Sequence, residues 1–145
     1  MKYFDLPPVW LALAAAVVWA SRSVVTAGGA ALQWAGIALV AAGLALMLAA
    51  VITMTRARTT VIPHRQPDAL VTQGIFARTR NPIYLGDVLL LTGLCLWWQA
   101  PLGLATVPVF TIWITTHFIT AEEARLHAAF GTAFTDYTKA VRRWV

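Results

Sequence analysis

The sequence predicts an all-α, multi-pass membrane protein, with about four transmembrane helices followed by an interfacial amphipathic helix. Three observations predict it. Hydrophobic residues make up 59% of the 145-residue chain and charged residues only 12%, with a mean hydropathy of +0.70, too apolar for an ordinary soluble domain of this size. The apolar residues gather into four runs, about 6–25, 32–54, 82–98 and 102–119, each near the roughly 20 residues that cross a bilayer. Most Lys and Arg residues lie in two segments flanking those runs, so the formal charge of +5 reads as membrane topology and not as a nucleic-acid surface.

In the first run, Arg22 lies close to the far end and can reach the headgroups by snorkelling. The start of the chain, with Lys2, Asp5, Pro7 and Pro8, does not have the pattern of a cleavable signal peptide, so this run is expected to be retained. Gly28 and Gly29 form a turn. The second run is uncharged and carries Gly36, Gly43 and Ala50 at heptad spacing, a stripe that lets another helix approach closely. Between Thr55 and Arg80 the chain is polar, with Arg56, Arg58, His64, Arg65, Arg78 and Arg80, and Pro63 and Pro67 discourage regular helix there.

A third run starts at Pro82 and has its own glycines seven apart, Gly86 and Gly93, so the two small-residue faces are expected to pack together. After the short link Gln99 to Pro101 comes the fourth run, predicted to bend near Pro108, which cannot donate a backbone hydrogen bond. The segment 120–141 reads as amphipathic: Leu126, Phe130, Phe134 and Tyr137 share a face, Arg125, Asp136 and Lys139 are polar, and Gly131 followed by Thr132 is an expected break. It is placed to fold back over residues 70–86 as a lid. The whole chain, 1–145, is expected to be one domain.

With four spans and both ends on one side, that side holds ten Lys and Arg residues, and the other holds Arg22 alone. This asymmetry puts both termini and the connector 59–86 in the cytoplasm, as expected for a prokaryotic inner membrane.

The candidate site is the stretch from Leu70 to Gly86, LVTQGIFARTRNPIYLG. Asn81 is expected to cap a helix by accepting from its free N–H groups, and Pro82 suits the first helical position. Four unpaired N–H groups, the positive end of the helix dipole and Arg80 beside them make a place for an anionic group. Upstream, Gly74 reads as a turn and Phe76 offers a flat face. Glu122 and Glu123 end the fourth run on the same side as Arg80; adjacent acids point in different directions on a helix, so one can face a pocket while the other meets water or an Arg. Asp87 is the one acid inside a run, close enough to the cytoplasmic end to be hydrated or paired with an Arg. His64 and His117 are possible bases. The single cysteine, Cys95, allows neither an internal disulfide nor a cysteine zinc site.

The pattern Leu70-Val71, Gly74, Phe76, then Arg80-Asn81-Pro82, Tyr84 and Gly86, resembles the signature of the isoprenylcysteine carboxyl methyltransferase and phospholipid methyltransferase group. A second block, Glu122-Glu123, Leu126, Phe130-Gly131, Phe134, Tyr137 and Val141, is similar to that group's C-terminal block. The resemblance implies an integral-membrane enzyme that uses S-adenosylmethionine and no metal, on a lipid-like acceptor entering from the bilayer. It further implies cofactor binding by Leu70, Val71, Gly74, Phe76, Arg80, Asn81, Pro82, Tyr84, Glu122 and Glu123, with Glu122, Arg80 and Tyr84 nearest the chemistry. Acceptor specificity is expected to lie between the third and fourth runs and the C-terminal helix, lined by Trp97, Trp98 or Trp113 only where their faces turn inward. Three positions depart from the prenylcysteine enzymes: Asn81 and Asp68 stand where those enzymes have a His, and Phe118 stands where they place an Arg that binds substrate.

The leading expectation is isoprenylcysteine carboxyl methyltransferase-like transfer to an amphiphilic acceptor. Phosphatidylethanolamine N-methylation is the alternative within the same fold. From another class, a non-catalytic membrane assembly or transport subunit should place its polar groups at mid-membrane, and here they gather at one face. No Ser-His-Asp or metal cluster stands in the sequence, which weakens hydrolase readings; methyl transfer from a sulfonium needs chiefly positioning, desolvation and sometimes a base.

Overall fold

Glycine spacing sets the central contact of the molecule, a computed structural model that describes residues 6–59 and 69–145. Helix α2, Ala30–Arg56, buries only Gly36, Gly43 and Ala50, and helix α3, Pro82–Trp97, packs on it more extensively than any other pair of elements. The pairing is antiparallel and glycine to glycine. A Cβ added at Gly36 would lie 2.6 Å from Gly93 O, and one added at Gly43 would lie 2.6 Å from Gly86 O. Backbones this close exchange dispersion along their full length, which is how helices associate where no water remains to be expelled. The expected match of the two small-residue stripes is therefore present.

On a helix Tyr84 lies roughly 200° around from Gly86, so the face of α3 away from α2 carries Tyr84, Leu91 and Cys95. That face forms a core with Val18 of helix α1, Pro7–Ser21, and with Phe110, Ile114, Phe118 and Ile119 of helix α4, Pro101–Phe130. Helix α3 is the centre of the fold, touching α1, α2 and α4. Every element among the described residues is helical or a turn, with no strand.

Two helices, Ala30–Arg56 and Pro101–Phe130, are long and apolar enough to cross a membrane, where the sequence suggested four. The other two apolar helices have 15 and 16 residues. The first run falls short of the expected 6–25 because α1 stops at Ser21: Ser21 Oγ bonds Val18 O and Ser23 Oγ bonds Ala20 O, each at 2.7 Å, and the side chains compete for carbonyls a longer helix would use. The outer face of α2 is apolar and uncovered, with Trp34 70% and Leu48 61% exposed. Such a surface is suited to hydrocarbon and not to water.

The fourth run does not end near 119. Helix α4 opens with a 3₁₀ segment, Pro101–Ala105, passes through a π-helical stretch, Thr115–Ile119, and continues to Phe130. Its change from 3₁₀ to α geometry falls at Thr106, just before Pro108, which has no N–H for the ladder. The segment 120–141 is thus two pieces: the end of α4 and a separate helix α5, Thr132–Ala140, divided at Gly131, whose φ of +52° is glycine territory. Phe134, Tyr137 and Val141 are buried together with Leu70, Leu126 and Phe130 packed against them. The shared apolar face read from the sequence is there, and it closes on the connector. The readings that concern Lys2, Asp5, Pro63, His64, Arg65, Pro67 and Asp68 lie outside the described residues.

Candidate functional site

The link between α3 and α4 turns the chain back, so the start of α3 meets the last third of α4. Tyr84 sits one turn into α3 and is buried; its hydroxyl donates to Glu122 Oε2 at 3.2 Å across 38 residues of chain. Asp87, a turn further along, is 3% exposed. The expectation that Asp87 is hydrated from the helix end, or paired with an Arg, does not hold: it is buried and makes no ion pair among the described residues. Its place on the Tyr84 side of α3 turns it into the core.

Glu123 faces the other way, as adjacent helical positions must. Its Oε1 lies 3.0 Å from Arg80 Nη1, and Arg143 grips it at two points, Nε to Oε1 at 3.1 Å and Nη2 to Oε2 at 2.7 Å. This two-point bond to Glu123 raises the Arg143 pKa above its usual range, against the opposing effect of burial. The side chains of Arg80 and Glu123 are 14% and 18% exposed. Arg80 Nε is buried and has no hydrogen-bond partner among the described residues.

Asn81 does not cap α3 with its side chain. Its Nδ2 donates instead to Arg143 O at 3.0 Å, and Thr79 Oγ1 donates to the same carbonyl at 3.3 Å while accepting from Asn81 N at 3.2 Å. Arg80 N donates to Arg142 O at 3.0 Å. Asn81 is thereby committed to the tail and not to the helix end it precedes. Pro82 is fully buried and opens α3 as expected.

Upstream, Gly74 begins a 3₁₀ turn, Gly74–Ala77, with φ +60°. The Thr53 side chain of α2 stands against it, so the connector is wedged between α2 and the tail. Tyr137 of α5 donates its hydroxyl to Phe76 O at 2.7 Å. Burial pushes that hydroxyl up to about 12, although the positive Arg80 opposes the rise.

Of the residues the sequence singled out, the fold brings Arg80, Asn81, Tyr84, Glu122 and Glu123 into one cluster, with Leu70 and Phe76 held to it by α5. Val71 is half-buried beside Leu70. His117 is exposed and stacks on Trp113 at 4.9 Å, on a ring that also meets Trp10. Trp97 is 41% exposed and Trp98 meets the edge of Trp19, both at the other end of α3. Two participants were not read from the sequence as site residues, Arg143 and Thr79. Arg143 counts in the sequence only as one more positive charge, and its reach to Glu123 depends on how α5 folds back.

The described residues form an all-helical fold with an apolar exterior and, at one end, a cluster of two glutamates, a tyrosine and two arginines. The phospholipid methyltransferase family model matches residues 31–133, from α2 into the start of α5. The chain belongs to the phospholipid methyltransferase family, a family of methyltransferases that act on membrane lipids. No curated protein and no solved structure matches it.

Proposed function

We propose that this protein transfers a methyl group from S-adenosylmethionine to an amine carried on a membrane lipid. The observation that carries this reading is the hydrogen bond from Tyr84 to Glu122, with Asp87 buried nearby, while Glu123 is neutralised by two arginines. Carboxylates on the Tyr84 side of the cluster favour a cationic or proton-releasing acceptor. Phe118 is 3% exposed, and it occupies the position where the prenylcysteine enzymes have a substrate-binding Arg, which disfavours a carboxylate acceptor.

The residues present fit the cofactor's polar end. Arg80 Nε is an orphaned, buried donor beside the start of α3, suited to a carboxylate, and Leu70, Val71, Gly74 and Phe76 supply the adjacent apolar and backbone surface. Bound there, the cofactor would supply an electrophilic methyl on a sulfonium. The chain's own work is positioning and proton transfer. Glu122 would accept the proton of the lipid ammonium and so free the nitrogen lone pair to act as the nucleophile. Tyr84 orients Glu122, and the α5 lid with the connector keeps water out.

In this reading α1 and α3 also cross the bilayer, as short helices flanking the two long ones. The ten-to-one asymmetry of Lys and Arg supports a cytoplasmic side for the termini and the site. The test is titration calorimetry of purified protein with S-adenosylmethionine and its demethylated product, followed by methyl transfer to phosphatidylethanolamine and to a prenylated cysteine. Saturable binding and methylation of the amine lipid alone are expected. Absence of binding would remove the enzyme reading, and methylation of the prenylated carboxylate alone would replace the acceptor.

A further inference from the structure

At the far end of the molecule the fold holds a cation with no acid to match it. Arg22 follows the last turn of α1. The segment after it is tied to the α3–α4 link: Ala27 N donates to Gln99 O at 3.1 Å, and a Cβ at Gly28 would meet the Gln99 side chain at 3.2 Å. Gln99 lies beyond the C-terminal end of α3, whereas Arg80 and Tyr84 stand at its N-terminal end. The 16 residues of α3 separate the two places, roughly 24 Å at 1.5 Å per residue. The acids among the described residues are Asp87, Glu122, Glu123 and Asp136, and none belongs to this end.

The guanidinium of Arg22 is fixed by stacking. Its central carbon lies 4.2 Å over the Trp19 ring, and Trp19 meets Trp98 edge-on at 5.1 Å. Arg22 Nε is buried and has no hydrogen-bond partner among the described residues. The side chain lines a shallow, open groove of about 490 Å³ together with Trp19, Ala20, Ser23 and Thr26. A held cation at the edge of a groove that also carries Ser and Thr side chains is a receptor for a phosphate oxygen.

We propose that this groove binds the phosphodiester of an anionic phospholipid headgroup at the membrane face opposite the Tyr84–Glu122 cluster. A lipid is favoured over free phosphate by the apolar rim: Trp19, Val24 and Val25 are 56%, 72% and 42% exposed, and they offer a seat for acyl and glycerol carbons that inorganic phosphate cannot use. An anionic lipid is favoured over a zwitterionic one because, among the described residues, this end has no carboxylate to receive an ammonium. Its role is to tie the α1–α2 turn to the far leaflet. The inference rests on the membrane-embedded fold and not on methyl transfer.

The test is native mass spectrometry of the detergent-purified protein titrated with phosphatidylglycerol, phosphatidylcholine or inorganic phosphate. Phosphatidylglycerol should be retained about tenfold more strongly than phosphatidylcholine, and Arg22→Gln should abolish that preference. Arg22→Lys, which keeps the charge but not the planar stack, should keep part of it. Arg56→Gln, at the far end of α2, should keep all of it. Full retention by Arg22→Gln, or equal loss in Arg56→Gln, overturns the site. Equal retention of both lipids by the wild-type protein also overturns it, whatever the variants' folding. Displacement of the lipid by inorganic phosphate at similar concentration would reassign the groove to a free anion.

Discussion

Arg143 holds Glu123 by two nitrogen–oxygen contacts, at 3.1 and 2.7 Å, and so joins the end of the chain to the last third of α4. The pair divides the labour of two adjacent acids. Glu123, also paired with Arg80, is a strut; Glu122, one residue earlier, accepts from the Tyr84 hydroxyl.

That division predicts different phenotypes for the two acids. Glu122→Gln should lower turnover by about 100-fold, the scale of a lost general base, with cofactor affinity nearly unchanged, because a contact needed in the transition state is removed. Tyr84→Phe removes only the orienting hydrogen bond and should cost about tenfold in turnover. Steady-state rates and calorimetric affinities on both variants check this. Wild-type turnover in Glu122→Gln would take the residue out of the chemistry.

The α2–α3 contact predicts a stability effect far from the site. Gly36→Ala sets a methyl against the backbone of Trp97 and of Gly93, atoms that cannot step aside, and should destabilise by about 1–3 kcal/mol through overpacking. Gly29→Ala is the control: nothing lies within 4 Å of its added Cβ, so thermal unfolding should be unchanged.

This contact was legible in the sequence because small residues at heptad spacing on two uncharged runs have few other uses. The Asn81-Pro82 helix start was legible for a similar reason, since proline is tolerated in few helical positions. The task of the Asn81 side chain was not: its partner, Arg143 O, lies 62 residues away, and local capping preference says nothing of a tail folding back. Helix length was misjudged where short polar side chains intervened, as at Ser21 and Ser23, or where a helix ran on through a π-helical turn, as at Thr115–Ile119. Hydropathy marks where a run is apolar, not where its hydrogen bonds stop.

The tail should respond to pH through Tyr137. Burial raises its hydroxyl to about 12 in the folded protein, against about 10 when unfolded. The folded state therefore favours the neutral phenol, and the stability this gives is complete below pH ~10 and is lost as pH rises through about 12. Limited proteolysis of the C-terminal segment should accelerate across that window in the wild-type protein. Tyr137→Phe, which cannot ionise and cannot bond Phe76 O, should start from a looser tail and show no such step.

Arg80 is the residue on which structure and cofactor compete. Its Nη1 is engaged by Glu123, yet its buried Nε has no acceptor among the described residues, an arrangement that a ligand oxygen would relieve. If the cofactor's carboxylate does so, Arg80→Ala should weaken binding at least about tenfold, and Arg80→Lys should recover only part of it, because a single ammonium cannot serve Glu123 and a ligand with the geometry of a planar fork. Glu123→Gln separates the two jobs. It loosens the Arg143 and Arg80 pairs, each worth about 1 kcal/mol at this partial exposure, and should lower the unfolding temperature while leaving cofactor affinity the same or higher, since Arg80 is then free to turn. Calorimetric affinity and thermal unfolding, measured together on Arg80→Ala, Arg80→Lys and Glu123→Gln, distinguish a ligand-binding arginine from a purely structural one. Affinity unchanged in Arg80→Ala, with stability falling as it does in Glu123→Gln, would make Arg80 a strut alone.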